Sequence, residues 1–324
     1  MKLASIEKVI SVSPIPNADK IEYVKVLGYD CIVQKGQFQT GDLCVLIQPD
    51  TVLPAEQSWA EMYRKKSNRV KAIRLMKQYW SFGIVESLSI LPENTQVVEG
   101  QDVSEVIGVI KYEPPIPQNL EAKHAYLPHQ LPKTDEMNYQ SLQYLPYGEI
   151  VDITLKIDGQ SSTFYFKDGE TGICSRSLEI KPESENNYTL PEKKYNILSK
   201  LTEYCTKHQI NLALRGEVYG NGIQSFASNP HARLPKDVAF FSVYLIDEHK
   251  YAGIESEHYY VNVCKELGLP VVPMIEEKVE LTESLVKKYS DELETLNGNL
   301  FEGVVIKGKE LSFKIINKFY DSKK

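Results

Sequence analysis

Five cysteines among 324 residues, Cys31, Cys44, Cys174, Cys205 and Cys264, form no CxxC pair and are odd in number. Neither a disulfide framework nor a thiolate zinc site is therefore expected, and most of these thiols should be buried. The six histidines show no ligand spacing either, and His208 reads as part of one helix face. No apolar run approaches the roughly 18 to 20 residues needed to span a bilayer, so no membrane partner is expected. The N-terminus, Met1-Lys-Leu-Ala-Ser-Ile-Glu, lacks the apolar block and cleavage site of a secretory signal, which points to an intracellular protein, cytoplasmic or nuclear. Repeats and low-complexity tracts are missing. So is any excess of positive charge: the net charge is -7, and a polyanionic partner would have to be met by a local patch. The densest is Arg64-Lys-Lys-Ser-Asn-Arg69-Val-Lys71 with Arg74 and Lys77, flanked by Tyr63, Tyr79 and Trp80. It reads either as a solvated surface or as a seat for a nucleic-acid duplex.

The chain is long enough for two domains with separate cores. From Leu3 to about Gly108 the pattern is of short strands, Ser5 to Val12, Ile21 to Leu27, Asp30 to Val33 and Asp42 to Ile47, separated by Gly, Pro, Asn and Asp turn signals. That is the pattern of a small barrel or sandwich, which Val70 to Met76 and Trp80 to Val85 would extend. Tyr112-Glu-Pro-Pro-Ile-Pro117 cannot hold a sheet ladder and reads as an extended connector. A boundary there gives domains at residues 1–112 and 113–324. The second domain reads as α+β, with strands at Glu149 to Leu155, Ser161 to Lys167, Asn211 to Glu217, Val238 to Ile246, Phe301 to Lys307 and Ser312 to Ile316. Apolar spacing predicts helices at Glu192 to His208, Glu255 to Leu267 and Leu281 to Leu296.

Within this half, Asp152-Ile-Thr-Leu-Lys156-Ile-Asp158-Gly159 sets a lysine near the end of an apolar strand with an acid and a glycine just beyond. Taken alone, this is a strand followed by a turn. A lysine of ordinary pKa, about 10.4, attacks nothing at neutral pH until metal, burial or a neighbouring cation strips its proton. Four later segments change the reading: Ser175-Arg176; Leu214-Arg215-Gly216-Glu217-Val218-Tyr219-Gly220; Phe240-Phe241-Ser-Val-Tyr244; and Phe301-Glu302-Gly303-Val-Val-Ile-Lys307 followed by Ser312-Phe313-Lys314. Asp158, Glu217 and Glu302 are candidates for a Mg²⁺ or Mn²⁺ site, directly or through retained waters. Gly216 and Gly303, beside two of these acids, are expected to let a ligand approach the backbone. Arg176, Lys307 and Lys314 offer positive charge to phosphates. Phe241 is the candidate platform for a base, with Phe240 and Tyr244 as substitutes and plain core packing as the competing reading.

In their order and spacing these segments resemble the covalent nucleotidyltransferases, and the whole chain resembles the ATP-dependent RNA ligases of the Deinococcus and Naegleria type. The similarity extends to Pro14-Ile-Pro-Asn-Ala-Asp19, Val33-Gln-Lys-Gly36, Gln48-Pro-Asp-Thr-Val-Leu-Pro54 and Gly108-Val-Ile-Lys-Tyr-Glu-Pro-Pro115, and to Pro132-Lys-Thr-Asp135-Glu136 and Cys174-Ser-Arg176-Ser-Leu-Glu-Ile. The resemblance implies an N-terminal OB-type β-barrel followed by a nucleotidyltransferase domain of ATP-grasp-like antiparallel sheets with helices. It also implies an RNA-repair activity in three steps: adenylylation of Lys156 by ATP, transfer of AMP to a 5′-phosphate, and sealing by a 3′-hydroxyl. Glu217 and Glu302 would then serve metal and ribose, Arg176 the ribose or a phosphate, Phe241 the adenine and Lys314 the α-phosphate, while Leu155 offers backbone contacts to adenine. The expected partner is RNA, as a nicked duplex or as free ends, with acceptance of DNA on one side left open, and the expected state is a monomer.

The sequence departs from the family pattern in three places. Leu155 stands where glutamate often precedes the nucleophile. Ser312 and Ile316 flank Lys314 where a second lysine is usual, leaving one phosphate contact missing or supplied by Lys307 or Lys318. Met137-Asn138-Tyr139-Gln140 lacks the arginine that commonly follows the Lys-Thr-Asp-Glu segment. The alternatives are an mRNA-capping guanylyltransferase, against which the domain order argues, and a catalytically inactive nucleic-acid-binding relative.

Overall fold

The computed structural model describes residues 2–64, 67–76, 78–113 and 120–320. Two compact units emerge, Met1–Pro115 with Tyr139–Tyr144, and Ile116–Asn138 with Leu145–Lys324. The prolines expected to form the connector, and Lys65, Lys66 and Lys77 of the basic run, lie outside the described residues.

In the first unit, five strands order as Tyr29–Gln34, Ile21–Val26, Ala4–Pro14, Leu43–Ile47 and Ile84–Glu86. The long strand serves two partners. Ala4 to Lys8 pairs with Ile47 to Leu43, and Val9 to Pro14 pairs with Val26 to Glu22, with the register slipping at Ile10. A bulge of this kind bends and twists a strand, the move that curls a flat sheet toward a barrel. Alternation then divides the apolar residues between two clusters, one around Ile6, Val45 and Ile47 and the other around Val9, Val24 and Leu46. Two expectations need correction. Val70 to Met76 gives only Ile73–Leu75, and Trp80 to Val85 is broken into Tyr79–Ser81 and Ile84–Glu86, so that a separate hairpin replaces one further barrel strand. Gly83, at φ 110° with Ile47 O 2.8 Å from where a Cβ would sit, marks the break.

Tyr139–Tyr144 joins this unit from later in the chain, although the sequence reading places it in the second domain. The Gly28 N–H donates to Gln140 O at 3.1 Å, and the Gln140 amide donates back to Gly28 O at 3.1 Å. Ser141 Oγ lies 2.6 Å from Tyr29 Oη and donates to Gln48 Oε1 at 2.9 Å. Residue 28 is glycine for this reason: a Cβ there would stand 2.8 Å from Gln140 Cα.

The second unit contains two sheets. The larger orders Ala122–His124, Glu179–Ile180, Glu170–Cys174, Gln160–Lys167, Leu212–Tyr219, Asp237–Leu245 and Lys250–Tyr251. The smaller orders Met137–Asn138, Ser312–Ile316, Gly303–Lys307, Ile150–Lys156 and Met274–Glu280. One face of the large sheet, including Phe164, Leu212, Leu214, Val218, Phe240 and Val243, packs on helices Ile197–His208 and Tyr260–Leu267 and forms the main core. Because directly paired residues share a face, the other face carries Ser161 opposite Glu217 and Thr163 opposite Arg215. The helix expected from Glu192 is two helices, Leu190–Tyr195 and Ile197–His208, separated by left-handed Asn196 at φ 52°. The helix expected from Glu255 begins only at Tyr260, and the one expected from Leu281 is Glu283–Lys287 followed by a π-helical turn, Lys288–Glu292. All five cysteines are buried free thiols. Among the described residues no helix is long and apolar enough to cross a membrane.

Candidate active site

Lys156 ends its strand directly opposite Gly303, the first residue of the neighbouring strand. That register brings Glu302 alongside, and the Lys156 ammonium donates to Glu302 Oε1 at 2.7 Å. Gly303 is there because its neighbour's backbone crowds it: a Cβ would stand 2.2 Å from Ile315 O. The turn after Lys156 is closed in a similar way. A Cβ on Gly159 would meet Val218 O at 2.3 Å, and Asn229 Nδ2 holds the Asp158 carbonyl at 3.0 Å. Close strand packing, rather than room for a ligand, accounts for Gly303, and also for Gly216, whose Cβ would stand 2.9 Å from both Phe240 and Val238 side chains. This corrects the expectation from sequence for both glycines.

The three acids expected around Lys156 are brought together on it. Burial raises Glu217 most, and although Lys156 pulls it down, the negative charges of Glu302 and Asp158 add to the rise and leave it pushed up to about 8. Asp158, which accepts from Tyr320 Oη at 3.2 Å, is likewise pushed up to about 7 by burial and then by Glu302. Burial would lower Lys156, but Glu302, Glu217 and Asp158 overcome it and hold the ammonium well above the usual lysine range. Among the described residues no three His, Cys, Asp or Glu side chains form a ready-made metal cage; the carboxylates surround an ammonium instead. The donor set nonetheless suits a hard divalent ion, since all its atoms are oxygen and Glu302 Oε2 is buried without a hydrogen-bond partner.

A bulge separates the three aromatic candidates. Arg215 pairs with Ser242 but the next residue, Gly216, pairs with Phe240, so Phe241 is extra. Phe240 is fully buried and packs edge-on to Phe164 at 5.9 Å, and Tyr244 is 5% exposed, which removes both substitutes. Phe241 turns toward Lys307, whose Nζ lies 5.5 Å from its ring centre. Both line a cavity of about 210 Å³ together with Glu136, Ser242, Tyr251 and Ser312.

The cations expected for phosphates are mostly engaged already. Arg176 forks onto Asp135, with Nη2 to Oδ2 at 2.9 Å and Nε to Oδ1 at 3.3 Å. Lys307 is only 7% exposed and pairs with Glu136 at 3.0 Å. Lys318, the other substitute for the absent lysine, pairs with Asp291 at 3.0 Å. Lys314 lies on the same sheet face as Lys307, because Val305, two residues before Lys307, is its direct partner. Burial alone would raise Glu136, but Lys307, Ser312 and Lys314 hold it below the usual carboxylate range. The sequence reading gives Asp135 and Glu136 no role of their own. The signal was an acidic dipeptide whose basic partners lie 41 to 171 residues away. In the first unit, Arg69 of the basic run is tied to Asp50 at 2.6 Å and lies 3.9 Å from the Tyr112 ring centre, whereas Arg74 is exposed near Trp80.

Comparison with known proteins places this geometry. An OB-fold domain family matches residues 3–88, and the RNA ligase family matches residues 149–318. No curated protein matches the chain. Among solved structures, Naegleria gruberi RNA ligase with PPi has a TM-score of 0.83 at 28% identity, over 98% of this chain and 97% of that one. A variant of the same Naegleria gruberi ligase with AMP and Mn gives 0.84 at 27% identity, again over 98% and 97%. A variant with ATP and Mn gives 0.83 at 28% identity, over 98% and 97%. With Lys156, Glu217 and Glu302 all inside a family match that spans more than half of its length, the chain belongs to the RNA ligase family.

Proposed function

We propose that this chain is an ATP-dependent RNA ligase that joins a 3′-hydroxyl to a 5′-phosphate, at nicks in duplex RNA, through a lysyl-AMP and an adenylylated 5′-phosphate. The observation that carries it is Lys156 at a strand end, ringed by Asp158, Glu217 and Glu302. In the resting arrangement Glu302 keeps the lysine protonated, so the nucleophile is held inactive until positive charge competes for that carboxylate. Asp158, Glu217 and Glu302 would hold a Mg²⁺ or Mn²⁺ ion, which when bound would supply that charge and neutralise the triphosphate.

Lys156 then gives its proton to solvent water and attacks the α-phosphorus. A nitrogen–phosphorus bond forms as the bond to pyrophosphate breaks. Phe241 stacks the adenine, Glu217 holds the ribose, and Lys314 steadies the α-phosphate. Arg176, released from Asp135, meets the ribose or the incoming 5′-phosphate. RNA is the partner and the enzyme acts as a monomer. Incubation with α-labelled ATP or GTP and a divalent ion tests this. Label on Lys156 from ATP supports it, label from GTP would favour a capping enzyme, and no label from either would leave a binding protein.

A further inference from the structure

Arg215 is 1% exposed and is the largest fully buried side chain among the described residues. Its Nε and Nη2 meet no hydrogen-bond partner, and neither does the Oγ of Ser242, which stands directly opposite it on the next strand. The guanidinium lies instead against a pair of rings that touch each other, 5.6 Å from the centre of Tyr244 and 5.5 Å from that of Tyr251, the two centres being 5.1 Å apart. The acid whose charge reaches it, Glu136, is already held by Lys307 at 3.0 Å. Burying a cation with bare donors is costly, and an apolar side chain of similar volume would commonly serve the fold better. A pair of adjacent unsatisfied donors, one of them on Ser242 in the wall of the cavity and the other on Arg215 directly opposite it, is accounted for when a ligand supplies the missing acceptors.

The position of the pair restricts that ligand. Arg215 is two residues from Glu217 on the same face, about 7 Å farther from the nucleophile at the rise of a strand. Its neighbours Ser242 and Tyr251 line the same cavity as Phe241 and Lys307. With the α-phosphate at Lys156 and the ribose at Glu217, as in the function proposed above, the base beyond the ribose would lie toward Arg215. A guanidinium and a hydroxyl are donors, and a purine offers ring nitrogens as acceptors.

We propose that Arg215, together with Ser242, donates hydrogen bonds to ring nitrogens of the purine base and so sets base specificity, a role that rests on Lys156 being the nucleotide acceptor. The test pairs side-chain and ligand deletions. Equilibrium binding of ATP, 1-deaza-ATP, 3-deaza-ATP and 7-deaza-ATP is measured on the wild type, R215M and R215K, with thermal melts and the rate of Lys156 labelling alongside. R215M is expected to weaken ATP binding about tenfold while the saturated labelling rate stays within about threefold. One deaza analogue is expected to lose the same factor on the wild type and nothing further on R215M, R215K to recover part of the loss, and the melting temperature of R215M to hold or rise. Additive losses for every analogue, or a fall in melting temperature with unchanged ATP binding, overturn the proposal in favour of a packing role. Binding without any label on Lys156 would instead refute the ligase reading while leaving the base contact readable from affinities alone.

Discussion

Lys156 and Glu302 are joined by a 2.7 Å hydrogen bond that favours the protonated lysine. Removing the charge of Glu302 while keeping its shape therefore has two opposed effects. E302Q should shift the pH dependence of Lys156 labelling toward lower pH, because the ammonium loses its closest anion. It should also slow the saturated rate on the order of 100-fold through weaker charge stabilisation. Single-turnover labelling across a pH series separates the two, and an unmoved profile would show that Glu302 does not hold the proton.

Asp158 and Glu217 are raised to about 7 and about 8, chiefly by burial. An acid whose folded pKa lies above its unfolded value, about 4, favours the fold fully below that value and loses the contribution as pH rises through the folded pKa. The metal-free protein should therefore lose melting temperature progressively from about pH 4 to about pH 8, the last part of the loss falling above pH 6. A divalent ion should restore more at pH 9 than at pH 6, since it binds the ionised acids. Thermal melts with and without Mn²⁺ at the two pH values read this directly.

Phe240 and Phe241 are adjacent yet face different surroundings. F240A opens a cavity beside Phe164 in the main core and should cost about 3 to 5 kcal/mol in chemical denaturation. F241A should leave stability nearly unchanged and raise the ATP concentration needed for half-maximal labelling about tenfold through lost stacking. The reverse pattern would assign the platform to the wrong residue.

G159A and G303A test the closeness of the strands around the nucleophile. Each adds a methyl group within 2.3 Å of a carbonyl oxygen, a contact that backbone shifts alone relieve, so each should cost about 1 to 3 kcal/mol or more. Because the shift falls on Lys156 or its turn, labelling should slow as well, with ATP affinity less affected.

The fold was legible wherever periodicity is local. Strands of the barrel, those carrying Lys156 and Glu217, and the one that follows Glu302 came out within a few residues of their observed ends. The misses share one cause, which is that long-range contacts decided the local structure. Met274–Glu280 is polar and is not among the strands expected from the sequence, but it pairs along the edge of the strand that carries Lys156. Phe241 could not be told from Phe240 because a bulge, and not alternation, aims it. The acids near Lys156 could be named from strand-end positions, whereas the pairing of Asp135 with Arg176 and of Glu136 with Lys307 depends on a loop returning from far along the chain.

The strap Tyr139–Tyr144, laid on Gly28 and Tyr29, sets a constraint in time. During vectorial synthesis the N-terminal unit has all of its barrel strands well before its last segment exists, and the first stretch of the catalytic unit, Ile116–Asn138, is made in between. The nascent barrel can condense early but is completed only after Tyr144 has left the ribosome. The two units thus share a maturation schedule, and a chain truncated at residue 138 should yield a barrel with an uncovered Gly28 face rather than a finished domain.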